Sequence, residues 1–111
     1  ATELLNAVWN EDLPLLEEVL KEGADPNWIY NGYPILQHAI YKRNLDSVMM
    51  LIEAGAINLE EALGFALDRG IGEVVFPLAY LGIVPKAEKI NKKYGRYPNR
   101  YAPLKNEFAI A

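Results

Sequence analysis

Shifted by 32 residues, this chain falls on itself: Leu4 on Leu36, Ala7 on Ala39, Leu13 on Leu45, Leu16 on Val48, Val19 on Leu51, Leu20 on Ile52, and Gly23-Ala24 on Gly55-Ala56. A further shift of 27 brings Leu36 onto Leu63, Ala39 onto Ala66, Val48 onto Val75, Leu51 onto Leu78 and Gly55 onto Gly82. No other feature constrains the fold as strongly. A period of this size marks a stack of small units, each burying its apolar face only against its neighbours. The copies cover residues 3–27, 32–58 and 59–85, followed by a basic C-terminal cap and tail over 86–111, all within one domain. A chain of 111 residues is long enough for a single core.

Inside each copy the pattern predicts two short helices. Leu13, Leu16, Val19 and Leu20, then Leu45, Val48, Leu51 and Ile52, recur at intervals of three and four. Asp12 and Asn44 stand where a helix N-cap belongs, and Pro14 falls in a first turn, where a missing N–H costs little. Asn58, with Glu61 three residues on, reads as a capping box opening the third copy. Gly23, Gly55 and Gly82 fit as C-terminal stops.

These residues resemble the ankyrin repeat family over residues 3–85. "KEGADPN" is similar to that family's loop after its second helix, and "ALDRGIGEVV" to its first-helix end, turn and second-helix start. "NGYPILQHA" occupies the place of its Gly-x-Thr-Pro-Leu-His-x-Ala signature, with Pro34, Ile35 and Gln37 standing where the family has Thr, Pro and His. The resemblance implies an all-α, helix–turn–helix solenoid of three repeats with a β-hairpin finger between copies one and two. The third copy is about five residues short between Ala56 and Leu63, which implies a missing finger there. Pro77, inside the second helix of that copy, should remove a hydrogen bond and kink it.

An open-ended stack needs covering ends. Ala87, Ile90 and Tyr94 are spaced three and four apart, with Lys86, Lys89, Lys92 and Lys93 mostly elsewhere, so an amphipathic helix suited to closing the third repeat is expected. Beyond it, Pro98 and Pro103 argue against a long helix, whereas Tyr97, Tyr101, Leu104, Phe108 and Ile110 are too apolar for a purely disordered tail. Charge divides at the same place. Residues 1–82 hold thirteen Asp/Glu against four Lys/Arg, net −9, and residues 83–111 hold seven Lys/Arg against two Glu, net +5. Such a division marks either a tail with its own partner or a tail that folds back on an acidic body.

Cysteine is absent, which removes disulfide and thiolate chemistry and suits a reducing, cytoplasmic setting. "ATELLNAVWNED" has no basic region followed by an apolar stretch, so no secretory signal is expected. The longest uncharged, mainly apolar run, Val74 to Pro85, is too short to span a bilayer, so no membrane partner is expected.

Catalysis finds little support. There is no phosphate-binding Gly-rich loop, no Gly-x-Ser-x-Gly elbow and no His-Glu-x-x-His. Gly70-Ile71-Gly72 is only a fragment of a dinucleotide fingerprint, in a turn between helices. Glu17-Glu18 and Glu60-Glu61 are adjacent on helices and point apart, so neither forms a shared acid/base pair. His38 is the only histidine, with no Cys or second His to join it on a metal, and it reads as a packed, hydrogen-bonded core residue. No enzyme activity, cofactor or metal is expected.

What remains is aromatic surface. The finger holds Trp28, Ile29, Tyr30 and Tyr33 among the turn residues Asn31 and Gly32. The resemblance implies that partners are bound by the finger and by the concave face of the first helices, where Trp9-Asn10, Tyr41-Lys42 and Asp68-Arg69 take equivalent places. Tryptophan and tyrosine combine large contact area with a polar tip and dominate interface hot spots. The plainer alternative lays Trp28 or Tyr33 flat on the scaffold and uses Trp9 to fill a gap between repeats. The expected function is a stand-alone, non-catalytic inhibitor or adaptor that binds a partner protein. Two alternatives differ in class: nucleic-acid binding by the tail, with Lys92, Lys93, Arg96 and Arg100 on phosphates and Tyr94, Tyr97 and Tyr101 on bases, and a homo-oligomeric structural subunit.

Overall fold

The computed structural model describes residues 2–86, and the expected C-terminal helix and tail lie outside the described residues. Six helices are present among them: α1 (Thr2–Trp9), α2 (Leu13–Lys21), α3 (Ile35–Tyr41), α4 (Leu45–Glu53), α5 (Leu59–Asp68) and α6 (Gly72–Tyr80). The strands β1 (Ile29–Tyr30) and β2 (Tyr33–Pro34) form one antiparallel hairpin between α2 and α3. None of these helices is long and apolar enough to cross a membrane.

The sequence repeat returns as repeated backbone geometry. Glu11, Arg43 and Gly70 hold the left-handed conformation in the three turns between paired helices, at φ 54°, 60° and 65°. In each turn the next N–H reaches back to a buried alanine carbonyl: Asp12 to Ala7 at 2.9 Å, Asn44 to Ala39 at 3.3 Å, Ile71 to Ala66 at 2.9 Å. The small side chains of Ala7, Ala39 and Ala66 let the partner helix approach, and all three are fully buried. Gly23 and Gly55, at φ 100° and 109°, end α2 and α4 in a conformation that strains other residues.

Two of the expected caps form as read. Asp12 and Asn44 accept from the backbone N–H of Leu15 and Ser47, both at 3.2 Å. The capping box at Asn58 does not form. Asn58 is left-handed, at φ 59° and ψ 44°, and its side chain makes no cap hydrogen bond. The shortened loop from Ala56 must turn sharply into α5, and asparagine tolerates that geometry better than most residues. No strand occurs between Ala56 and Leu63, as the shortened loop implied. Pro77 stands inside α6, as expected, and the helix runs on to Tyr80; the carbonyl that it deprives of an N–H, that of Glu73, belongs to an exposed residue.

Each helix packs on its pair-mate, α1 on α2, α3 on α4 and α5 on α6, and the first helices contact one another in the order α1, α3, α5. The core runs continuously through all three pairs, with Leu16, Ile35, Ile40, Val48, Leu51, Phe65 and Leu78 completely enclosed. Between pairs, Arg43 Nη1 meets Glu73 Oε1 at 2.9 Å on the surface.

Candidate protein-binding surface

The hairpin begins with an Asx turn, in which Asp25 Oδ1 accepts from Asn27 N–H at 2.9 Å. The Asn27 side chain then spans to the next helix pair, donating to the Gly55 carbonyl at 3.2 Å and accepting from the Ile57 N–H at 2.8 Å. Trp28 is held from both sides of its backbone, its N–H on the Asp25 carbonyl at 3.2 Å and its carbonyl receiving Ile35 N–H at 2.9 Å. Asn31 and Gly32 close the hairpin with φ 53° and 83°, the double left-handed turn that matches strand twist.

On this braced hairpin the side chains divide by face. Tyr30 pairs with Tyr33 across the strands, so both lie on one side, and Ile29 opposite Pro34 lies on the other. The tyrosine face points inward. Both rings meet His38 edge-on, at centroid distances of 6.1 and 6.4 Å, and Tyr33 also reaches Phe65 at 6.3 Å. Tyr33 is only 5% exposed, so its expected place on the recognition surface is corrected: strand register makes it core. Tyr30 is half-buried. Burial, with a smaller push from Asp25, raises its phenol pKa above the ordinary tyrosine value. Trp28 and Ile29 remain outward, 48% and 61% exposed.

His38 joins the hairpin to the first helices. Its Nε2 pairs with the Tyr30 carbonyl at 2.9 Å and its Nδ1 accepts from Trp9 Nε1 at 3.1 Å. The expectation of a packed, hydrogen-bonded histidine is met by these contacts. Trp9 is half-buried and leans on Tyr41 with 5.9 Å between ring centroids, while Lys42 Nζ stands 4.9 Å from the indole centroid. Trp9 therefore fills the gap between the first two pairs and remains partly exposed. Asn10 and Asp68 are exposed. Arg69 lies over the Phe65 ring at 3.7 Å and donates to the Phe65 carbonyl at 3.2 Å, so much of it is committed to the scaffold.

An open cleft of about 420 Å³ separates the hairpin from the first pair, with Leu4, Val19, Trp28 and Tyr30 beside the carboxylates of Glu3, Glu22 and Asp25. Among the described residues no three His, Cys, Asp or Glu side chains gather as metal ligands would. One exposed contributor was missed in the sequence: Ile57, 61% exposed, directly after the peptide that Asn27 braces. Its signal was an unmatched apolar residue, since the equivalent place in the first copy is Asp25. The tail candidates Lys92, Lys93, Arg96, Tyr97, Arg100 and Tyr101 lie outside the described residues.

Compared with known proteins, the chain matches no family model, no curated protein and no solved structure.

Proposed function

We propose that this chain is an ankyrin-like repeat solenoid acting as a non-catalytic protein-binding module, an inhibitor or adaptor whose output is binding. The observation that carries the reading is the braced hairpin presenting Trp28 and Ile29 to solvent. Apolar side chains on a mobile loop would lose entropy on binding; on a hairpin already fixed by Asn27 and His38, that loss is largely met in folding. Ile57 and the partly exposed Trp9 extend the surface, with Tyr41 and Lys42 beside the indole. The carboxylates of Glu3, Glu22 and Asp25 around the cleft favour a partner surface that brings Lys or Arg.

The test compares capture of proteins from nuclease-treated lysate by the native chain and by Trp28→Ala/Ile29→Ala. The captured protein should be lost with the double variant, whose removal of a hot-spot pair weakens affinity by about thirtyfold. Retention of the same protein by a folded double variant would sink the hairpin as the recognition element. Binding that survives nuclease treatment only as salt-sensitive association with added nucleic acid would transfer the function to the basic tail.

A further inference from the structure

The cleft between the hairpin and the first helix pair combines apolar, aromatic and acidic surface in one place. Leu4 of α1 and Val19 of α2, 3% and 5% exposed, are its deepest apolar lining. Trp28 and Tyr30 add aromatic surface from the hairpin that Asn27 and His38 hold in place. Glu3, Glu22 and Asp25 bring exposed carboxylates from three separate segments: the start of α1, the end of α2 and the Asx turn. Among the described residues no Lys or Arg lines the cleft.

Nearby charge does not balance these carboxylates. Residues 1–33 hold seven Asp/Glu against one Lys, Lys21. Lys21 is paired with Glu17 at 3.7 Å, one turn back along α2. Glu22 is the C-cap of that helix. A helix C-terminus already carries partial negative charge on its last carbonyls, so a carboxylate there is disfavoured and an incoming cation is attracted. The field extends to the aromatic wall: behind burial, Asp25 is the second cause that raises the Tyr30 phenol pKa.

A cationic side chain satisfies every part of this arrangement. Its methylene stem lies along apolar surface while its head meets carboxylates and the faces of aromatic rings. Arginine suits the cleft better than lysine, because its flat guanidinium stacks on a ring while its fork of donors serves more than one carboxylate. We propose that the cleft takes one arginine side chain of the partner protein, its guanidinium against Trp28 and Tyr30 and ringed by Glu3, Glu22 and Asp25. The assignment rests on the reading of the hairpin as a protein-binding element and names the residue that this part of the surface selects.

The probe is an acetylated, amidated Gly-Gly-Arg-Gly-Gly peptide titrated into the full chain. At about 0.15 M salt, attraction between exposed charges is screened beyond about 8 Å, which suppresses diffuse binding. Backbone amide and Trp28 indole N–H resonances over residues 22–30 should shift saturably. The same peptide with citrulline, which keeps the shape without the charge, should bind at least about tenfold more weakly, and with lysine about threefold more weakly. Glu22→Gln/Asp25→Asn should weaken arginine binding by about tenfold, since both replacements leave hydrogen-bond acceptors but remove charge. Glu17→Gln/Glu18→Gln removes as much charge outside the cleft and should leave the affinity nearly unchanged.

Equal binding of the arginine and citrulline peptides would overturn the proposal, as would equal losses in the two double variants. Lysine matching arginine would overturn the choice of residue. No saturable binding to the full chain, whose residues 83–111 carry seven competing Lys/Arg, would overturn it too. Indole shifts that follow protein concentration with no peptide present would give the cleft to a second copy. Lysate capture that still needs Trp28 and Ile29, alongside a peptide that fails to bind, would strike the arginine assignment alone and leave the hairpin reading standing.

Discussion

The indole Nε1 of Trp9 donates to Nδ1 of His38 across 3.1 Å, joining residues 29 apart in sequence and fixing the state of the buried ring. An indole N–H can only donate, so Nδ1 accepts and the single proton of the neutral imidazole sits on Nε2, facing the Tyr30 carbonyl. The bond therefore holds the first pair, the second pair and the hairpin in one register.

It also makes stability depend on acid. Burial lowers the His38 pKa, outweighing the Tyr30 and Tyr33 carbonyls that pull it upward. Protonation would place a second donor against the Trp9 N–H. The unfolded chain takes up a proton near the ordinary value of about 6.5, so below that pH it binds more protons than the folded chain. The His38 contribution is thus complete above about pH 6.5 and is lost as the pH falls toward the depressed folded value. Urea unfolding between about pH 7.5 and 5.5 should show stability declining with a slope of at most about 1.4 kcal/mol per unit. The slope should vanish in a folded His38→Gln chain. A flat profile in the native chain would contradict the assignment.

Asn27 carries the hairpin's connection to the third loop through two hydrogen bonds, to Gly55 and Ile57. Replacing it with alanine should cost about 1 kcal/mol, because two exposed intramolecular hydrogen bonds are exchanged for bonds to water. Asn27→Asp separates the two bonds: the acceptor for Ile57 N–H survives, and a carboxylate faces the Gly55 carbonyl. Chemical denaturation should rank the native chain above both variants. Equal midpoints would mean that the bridge adds nothing to the fold.

Much of this arrangement was legible because it is local. Asp12, Asn44, Gly23 and Gly55 announce helix ends through chemistry confined to neighbouring residues, and the shortened third loop announces its missing hairpin. What was hidden depends on contacts far apart in sequence. Tyr33 looks like any other finger aromatic until strand pairing turns it toward His38 and Phe65. For Trp9 the sequence left a concave-face residue and a gap filler both open, and only the bond to His38 decides for the second. Asn58 misled because the same residue suits a cap and a left-handed turn, and only the loop's length decides between them.

That ambiguity at Asn58 separates two substitutions. If side-chain capping mattered, Asn58→Ser would be neutral, since serine caps as well as asparagine. With φ at 59° and no cap bond, backbone conformation governs instead. Asn58→Ser should then lose about 1 kcal/mol, and Asn58→Gly should equal or exceed the native stability. Thermal unfolding of the three chains gives the order directly, and serine matching the native chain would restore the capping box.

The two faces of the hairpin offer the sharpest contrast, because their aromatics are five residues apart and equally prominent in the sequence. Tyr33 is enclosed by His38 and Phe65, so Tyr33→Ala opens a cavity and should cost about 3 kcal/mol or more. Trp28, half exposed, touches far less of the core, and Trp28→Ala should move stability by no more than about 0.5 kcal/mol. Partner affinity should respond in the opposite order among folded proteins: Trp28→Ala lowers it strongly, whereas the milder Tyr33→Phe, which keeps the ring in place, leaves it nearly unchanged. Denaturation curves and binding measurements on the same preparations read both halves of the contrast. A Trp28→Ala chain that unfolds as readily as Tyr33→Ala would place the indole in the scaffold and remove the main support for a recognition surface on this hairpin.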